Sequence, residues 1–125
     1  MPGYLIVDDN GHYAAAARDL LEREGVTVVG VAATSAEALK LAAERRPDVI
    51  LVDIDLGEES GFDVATLLAA ESATPIVLIS AHSDLEFADL IAASPAVGFL
   101  SKSELSAAAV ADLVDSARDG ERGTS

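Results

Sequence analysis

Five short apolar runs, residues 4–7, 26–32, 49–52, 76–80 and 97–100, recur along the chain with longer stretches of helical composition between them. A strand with one solvated face alternates apolar and polar residues, whereas a strand covered by helices on both faces is apolar almost throughout. Four of the five runs are of the second kind. The pattern is that of βαβ units around a parallel sheet, an α/β fold in which the runs form the core.

Punctuation between the runs agrees with this. The first helix is expected over 12–24 with Gly25 as its C-terminal stop, and the second over 35–45, where Thr34 and Glu37 form a capping box. Pro47 and Pro75 each interrupt the chain where a helix hands over to a strand. Further helices are expected over 62–70, 85–93 and 104–118, the last with Leu105, Ala109, Leu113 and Ala117 on one stripe and Ser101 with Glu104 capping its start. One domain over residues 1–119 is the expectation at this length, with 120–125 as a flexible tail or the beginning of a linker.

The chain carries 22 acidic and 8 basic residues among 125, so 8 − 22 gives a formal net charge of −14. Such a surface repels phosphate backbones and anionic headgroups, and neither nucleic acid nor membrane is expected as a direct partner. With half its residues apolar the chain is too hydrophobic for disorder, so the acids belong to a folded surface or a site. No cysteine is present, which excludes disulfides, thiolate metal centres and cysteine nucleophiles. The first residues offer neither a basic segment nor a long apolar stretch, and a cytoplasmic location is expected.

In an open α/β sheet, ligands bind beyond the carboxyl ends of the strands, so the residues following each run matter most. The first run ends in Asp8-Asp9 and the third in Asp53, with Asp55 two residues further on. The fourth closes on Ser80, and Lys102 follows the fifth. Carboxylates gathered at one edge raise one another's pKa values unless a cation intervenes. An oxygen-only donor set favours Mg²⁺. An ammonium and a hydroxyl beside a metal-bound carboxylate suit a transferring phosphoryl group, and a carboxylate can itself be the nucleophile. Asp53, closing the central run, is best placed for that role, and Asp8 and Asp9 for holding metal. Alone, each of these residues reads as a turn acid, a capping serine or a surface lysine; the set together argues for function. His12 and His82 lack a ligand spacing and read as surface residues, and Glu58-Glu59 as a solvated loop.

The segments Val7-Asp8-Asp9-Asn10, Asp48-Val49-Ile50-Leu51-Val52-Asp53, Ile79-Ser80-Ala81 and Gly98-Phe99-Leu100-Ser101-Lys102 resemble the receiver domain of two-component response regulators over residues 4–118. The resemblance implies a flavodoxin-like (βα)5 fold, a doubly wound five-stranded parallel sheet of strand order 2-1-3-4-5. It implies a signalling domain whose only catalysis is its own phosphotransfer and autodephosphorylation. Asp53 would accept a phosphoryl group from a phosphohistidine on a sensor histidine kinase or histidine phosphotransfer protein. Asp9 would bind Mg²⁺ directly, Asp8 mainly through water, and the main-chain carbonyl of Asp55 would complete the protein ligands beside Asp53.

By the same resemblance, Lys102 would pair with the phosphoryl oxygens, Ser80 would be the switch hydroxyl, and Phe99 the aromatic that turns inward behind it. Asp55 and His82 occupy the variable positions that tune the lifetime of the phosphorylated state. The output face would comprise the fourth helix, fifth strand and fifth helix, roughly 85–93 and 97–118, and would serve a downstream protein, a following effector domain or a homodimer. Two positions depart from the family pattern: Gly57 stands where many receivers have proline, and Ser103 follows Lys102 in place of another frequent proline.

Rival readings exist. Asp53-Ile54-Asp55-Leu56-Gly57 resembles the Asp-x-Asp motif of haloacid-dehalogenase-like aspartyl-phosphate phosphatases, but that family ends with its acidic pair, whereas here Asp8-Asp9 comes first. A phosphate-independent receiver-like interaction module is a second alternative. A dinucleotide or flavin site is disfavoured, since Asp8-Asp9-Asn10-Gly11 sets two anions where a phosphate cradle belongs.

Overall fold

A computed structural model describes residues 3–81 and 88–123, the last six of these as backbone only. Five parallel strands form one sheet: β1 (Gly3–Val7), β2 (Thr27–Ala32), β3 (Val49–Asp53), β6 (Ile76–Ser80) and β7 (Gly98–Ser101). Its order is β2-β1-β3-β6-β7. Between β3 and β6 lies a small antiparallel hairpin, β4 (Asp55–Leu56) with β5 (Glu59–Ser60). Leaving that hairpin aside, the order is the expected 2-1-3-4-5, and the fold is flavodoxin-like.

Alternate residues of the strands feed two cores. Tyr4, Ile6, Val49, Leu51, Val77 and Ile79 face α1 (Gly11–Arg23) and α5 (Ala107–Gly123), through Ala14, Ala17, Leu21, Val110 and Val114. Leu5, Val7, Ile50, Val52, Ile76 and Leu78 face α2 (Ser35–Arg45) and α3 (Gly61–Glu71), through Ala38, Val64, Ala65 and Leu68. Both faces are covered, which is why β1, β3 and β6 are buried at every residue. The short α4 (Ala88–Ala93) completes the second layer through Ile91.

Helix ends follow the sequence signals. Gly25 (φ +92°) ends α1: its N–H bonds the Glu22 carbonyl at 3.2 Å, and the Val26 N–H bonds the Leu21 carbonyl at 2.9 Å. That wrap uses Val26, so β2 begins one residue later than the apolar run. Thr34 Oγ1 accepts from the Glu37 N–H at 3.2 Å, as the capping box requires, while Glu37 reaches back to the Ala33 N–H at 3.3 Å.

Three expectations need correction. Residues 102–104 form a 3₁₀ turn and α5 starts at Ala107, so Leu105, though buried in the first core, precedes the helix, and among the described side chains of α5 Val110 and Val114 are the buried ones, with Ala109, Leu113 and Ala117 of the expected stripe half-buried. Ser101 makes no capping bond; the start of α5 is held by Ser106 Oγ, accepting from the Ala109 N–H at 3.0 Å, and by Glu24 Oε1, accepting from the Ala107 N–H at 2.7 Å. The 57–61 region is ordered around a two-residue turn, not a simple solvated loop. Glu59 Oε1 takes the Ser35 N–H at 2.9 Å, and the Ser35 hydroxyl, followed by that N–H, lowers the Glu59 pKa. Of the helix expected over 85–93, residues 85–87 lie outside the described residues, as does His82.

Candidate functional site

Strand order reverses at β1: β2 lies on one side of it, and β3, β6 and β7 on the other. Beyond the carboxyl ends of these strands lies a cleft of about 220 Å³ lined by Asp9, Asn10, Asp53, Asp55, Ser80, Ala81 and Lys102. This is the switch-point crevice where such sheets bind ligands. The acids, hydroxyl and lysine singled out in the sequence therefore converge, apart from His82, which is not described, and Phe99. Phe99 is half-buried on β7, pairs in register with Leu78 and packs into the second core, away from the cleft lining.

Each side chain is held by its strand end. Asp8 follows β1, is 2% exposed, and its Oδ1 accepts from the Asn10 N–H at 2.8 Å. Asn10 in turn caps α1, its Oδ1 accepting from the Tyr13 N–H at 3.1 Å. Asp53 is 4% exposed and closes β3, its Oδ1 accepting from the Asp55 N–H at 3.1 Å. Ser80 closes β6 and is 1% exposed. Asp9 and Asp55 are exposed at the rim.

Lys102 bridges the two buried acids, with Nζ 2.8 Å from Asp8 Oδ2 and 3.1 Å from Asp53 Oδ2. Burial alone would lower its pKa, but pairing with Asp8 and Asp53 outweighs that and raises it. The Asp53 pKa is raised as well, from the ordinary carboxylate range to about 6. Burial and the charge of Asp8 push it up, against the Asp55 N–H and Lys102. An acid that resists ionisation in the resting cluster is one whose charge the site has not fully matched.

Oxygens of Asp8, Asp9 and Asp53 lie within 4.8 Å of one another. Three carboxylates against one ammonium leave the ionised cluster anionic. Asp8 Oδ2 touches Lys102 but takes no hydrogen bond of good geometry, so a buried carboxylate oxygen has capacity to spare. This donor set fits a hard divalent cation such as Mg²⁺, with water filling the remaining positions.

Residues given no site role in the sequence, Gly61, Gly57 and Tyr13, shape the site as well. Gly61 opens α3 against the backbone that follows β3: a Cβ there would stand 2.1 Å from the Asp53 carbonyl oxygen and 2.6 Å from Ile54 Cα. Its N–H bonds the Ile54 carbonyl at 2.7 Å. Gly57 has φ +69°, which proline cannot adopt, and this accounts for the departure from the family pattern. A Cβ at Gly57 would lie 2.9 Å from Asp9 Oδ2. Tyr13 sits under Lys102, its ring centroid 4.4 Å from Nζ and its hydroxyl donating to the Lys102 carbonyl at 3.1 Å. Burial, with the charges of Asp8 and Asp53, pushes the Tyr13 hydroxyl up to about 12, so it remains a donor. Two glycines shortly after the Asp53 carboxylate are a visible signal; an aromatic in the first turn of a helix reads only as core.

Comparison with known proteins places this geometry. Residues 4–114 match the response regulator receiver domain family. A Pseudomonas aeruginosa protein described as a transcriptional regulator is 37% identical over 105 residues, 83% of this chain and 51% of that one. The receiver domain of a modulated diguanylate cyclase from Desulfovibrio desulfuricans superposes with a TM-score of 0.80 at 33% identity, covering 100% of this chain and 99% of that one. A response regulator from Burkholderia pseudomallei, solved with a phosphorylated aspartic acid, a calcium ion and citrate, gives 0.81 at 26% identity, with 100% and 74% covered. The chain spans between 22% and 51% of the lengths of the curated relatives it matches.

Proposed function

The chain belongs to the response regulator receiver domain family of two-component signalling, and from that premise we propose that it takes a phosphoryl group onto Asp53 from a phosphohistidine of a sensor histidine kinase or histidine phosphotransfer protein. The observation that carries this is the paired buried acid: Asp53 with one oxygen on the Asp55 N–H and the other on Lys102, beside the Asp8 and Asp9 carboxylates.

In the reaction a carboxylate oxygen of Asp53 bonds to phosphorus while the P–N bond breaks and its electron pair returns to the donor imidazole. Lys102, 3.1 Å from the acceptor carboxylate, supplies positive charge to the equatorial oxygens as they leave the donor. Asp8, Asp9, Asp53 and the main-chain carbonyl of Asp55 would hold Mg²⁺, which supplies charge neutralisation for the phosphoryl oxygens. Ser80, at the end of β6, would then bond a phosphoryl oxygen and Phe99 would follow it. The arriving charge biases this two-state element. Asp55 and His82 would flank the path of hydrolytic water and set the lifetime of the modified state.

Output would leave through α4, β7 and α5, where Leu90 is 53% exposed, toward a downstream protein, an effector domain of the same polypeptide or a second copy. Among the described residues no helix is long and apolar enough to cross a membrane, and a cytoplasmic location accords with a phosphohistidine donor. Intact mass after incubation with acetyl phosphate and Mg²⁺ tests the reading. A labile phosphoryl adduct is expected in the wild type and is expected to vanish in Asp53→Asn and without metal. No adduct with acetyl phosphate, and no binding of beryllofluoride, would instead favour the phosphate-independent module.

A further inference from the structure

Lysine brings a flexible four-carbon stem and a freely rotating ammonium, so a position between two carboxylates has to be imposed on it. Asp8 and Asp53 attract Lys102 but do not choose its height in the cleft, because either acid alone can draw the ammonium to itself. A single side chain meets Lys102 at both ends. The Tyr13 ring lies under the ammonium with its centroid 4.4 Å away, and its hydroxyl donates to the Lys102 main-chain carbonyl at 3.1 Å. Tyr13 is itself fixed from the acid turn, since its N–H bonds Asn10 Oδ1 and the Asn10 N–H bonds Asp8 Oδ1.

We propose that Tyr13 is a positioning residue for Lys102, clamping the 3₁₀ turn through its hydroxyl and the ammonium through its ring, so that Nζ stands between Asp8 and Asp53. This rests on the phosphoacceptor reading only for its consequence, that the lysine is pre-set for phosphoryl oxygens. The ring face holds the cation without a hydrogen bond that would have to break, and so leaves the ammonium's protons to the carboxylates and, later, the phosphoryl group. The acid-bearing turn after β1 and the lysine-bearing turn after β7 come from opposite ends of the chain, and Tyr13 joins them.

The test compares Tyr13→Leu with Tyr13→Phe. Tyr13→Leu is expected to slow Asp53 adduct formation from acetyl phosphate at saturating Mg²⁺ about fivefold, whereas Tyr13→Phe, which keeps the ring, stays within about twofold. NMR checks independently that the ring stands over the ammonium, and the Lys102→Ala background separates positioning from packing. The Lys102 ε-methylene protons should be ring-shifted upfield in the wild type and in Tyr13→Phe, and should return to ordinary values in Tyr13→Leu. In a Lys102→Ala background, Tyr13→Leu should cause no further slowing. Unshifted lysine protons in the wild type, or equal slowing with and without Lys102, would overturn the proposal. If the wild type forms no adduct, the phosphoacceptor reading falls by itself, and the lysine shifts still decide the clamp.

Discussion

The two sides of the sheet's carboxyl edge are covered unequally. β1, β3 and β6 are buried at every position and end in Asp8, Asp53 and Ser80. β7 is half-buried at every position, α4 has no buried residue, and these elements carry Phe99 and lead into Lys102. Local opening costs least where few apolar contacts are lost. The proposed acceptor, Asp53, therefore stands on the part of the sheet that resists movement, and the groups proposed to respond stand on the part that moves at little cost. Ser80, at the seam between β6 and β7, lies where the two meet.

The sharpest way to break this comparison is in the buried strands. Ile79→Ala removes a fully buried side chain from β6 and is expected to cost about 2–5 kcal/mol by denaturant unfolding. A loss near zero would mean the central strands are no firmer than the edge. Next is Gly61→Ala, whose Cβ must displace the backbone of Asp53 and Ile54. A loss of about 1–3 kcal/mol is expected, together with slower adduct formation on Asp53, because the acceptor moves with its backbone.

Asp53→Asn should act in the opposite direction. The folded-state pKa of Asp53 is raised from 3.8 to about 6, so ionising it is easier in the unfolded chain. The resulting penalty is absent below about pH 4 and complete above about pH 6. Removing the charge should stabilise the protein by about 1 kcal/mol at pH 7, with the gain fading as the pH falls through that window. A difference that stays constant with pH would remove the charge imbalance from the account. The smallest effect is expected in the other region: Leu90→Ala, on the exposed face of α4, should stay within about 0.5 kcal/mol. A larger loss would show α4 to be as well anchored as β6.

Much of the fold was legible because burial on both faces forces nearly unbroken apolar runs, and the Thr34–Glu37 box and Gly25 marked helix ends by their own chemistry. The cleft was legible because Asp8, Asp9, Asp53, Asp55, Ser80 and Lys102 stand at or within three residues of the ends of those runs. The β4–β5 hairpin was not: Asp55, Glu59 and Ser60 give no apolar alternation, and its turn depends on Gly57 adopting a positive φ. The late start of α5 escaped notice because Ser101 with Glu104 is as good a capping pattern on paper as Ser106, which does the work. Tyr13 was hidden because its partner is 89 residues away and only the fold brings them together.

Hydrogen exchange followed by mass spectrometry, with and without Mg²⁺ and beryllofluoride, tests the division between acceptor platform and responsive edge most directly. Apart from the loops carrying Asp9 and Asp55, which touch the ligands directly, changes in protection should be confined to peptides covering α4, β7 and the 3₁₀ turn, with β1 and β3 protected equally in both states. Changes spread evenly over the sheet, or confined to β1 and β3 while α4 and β7 stay the same, would contradict the account.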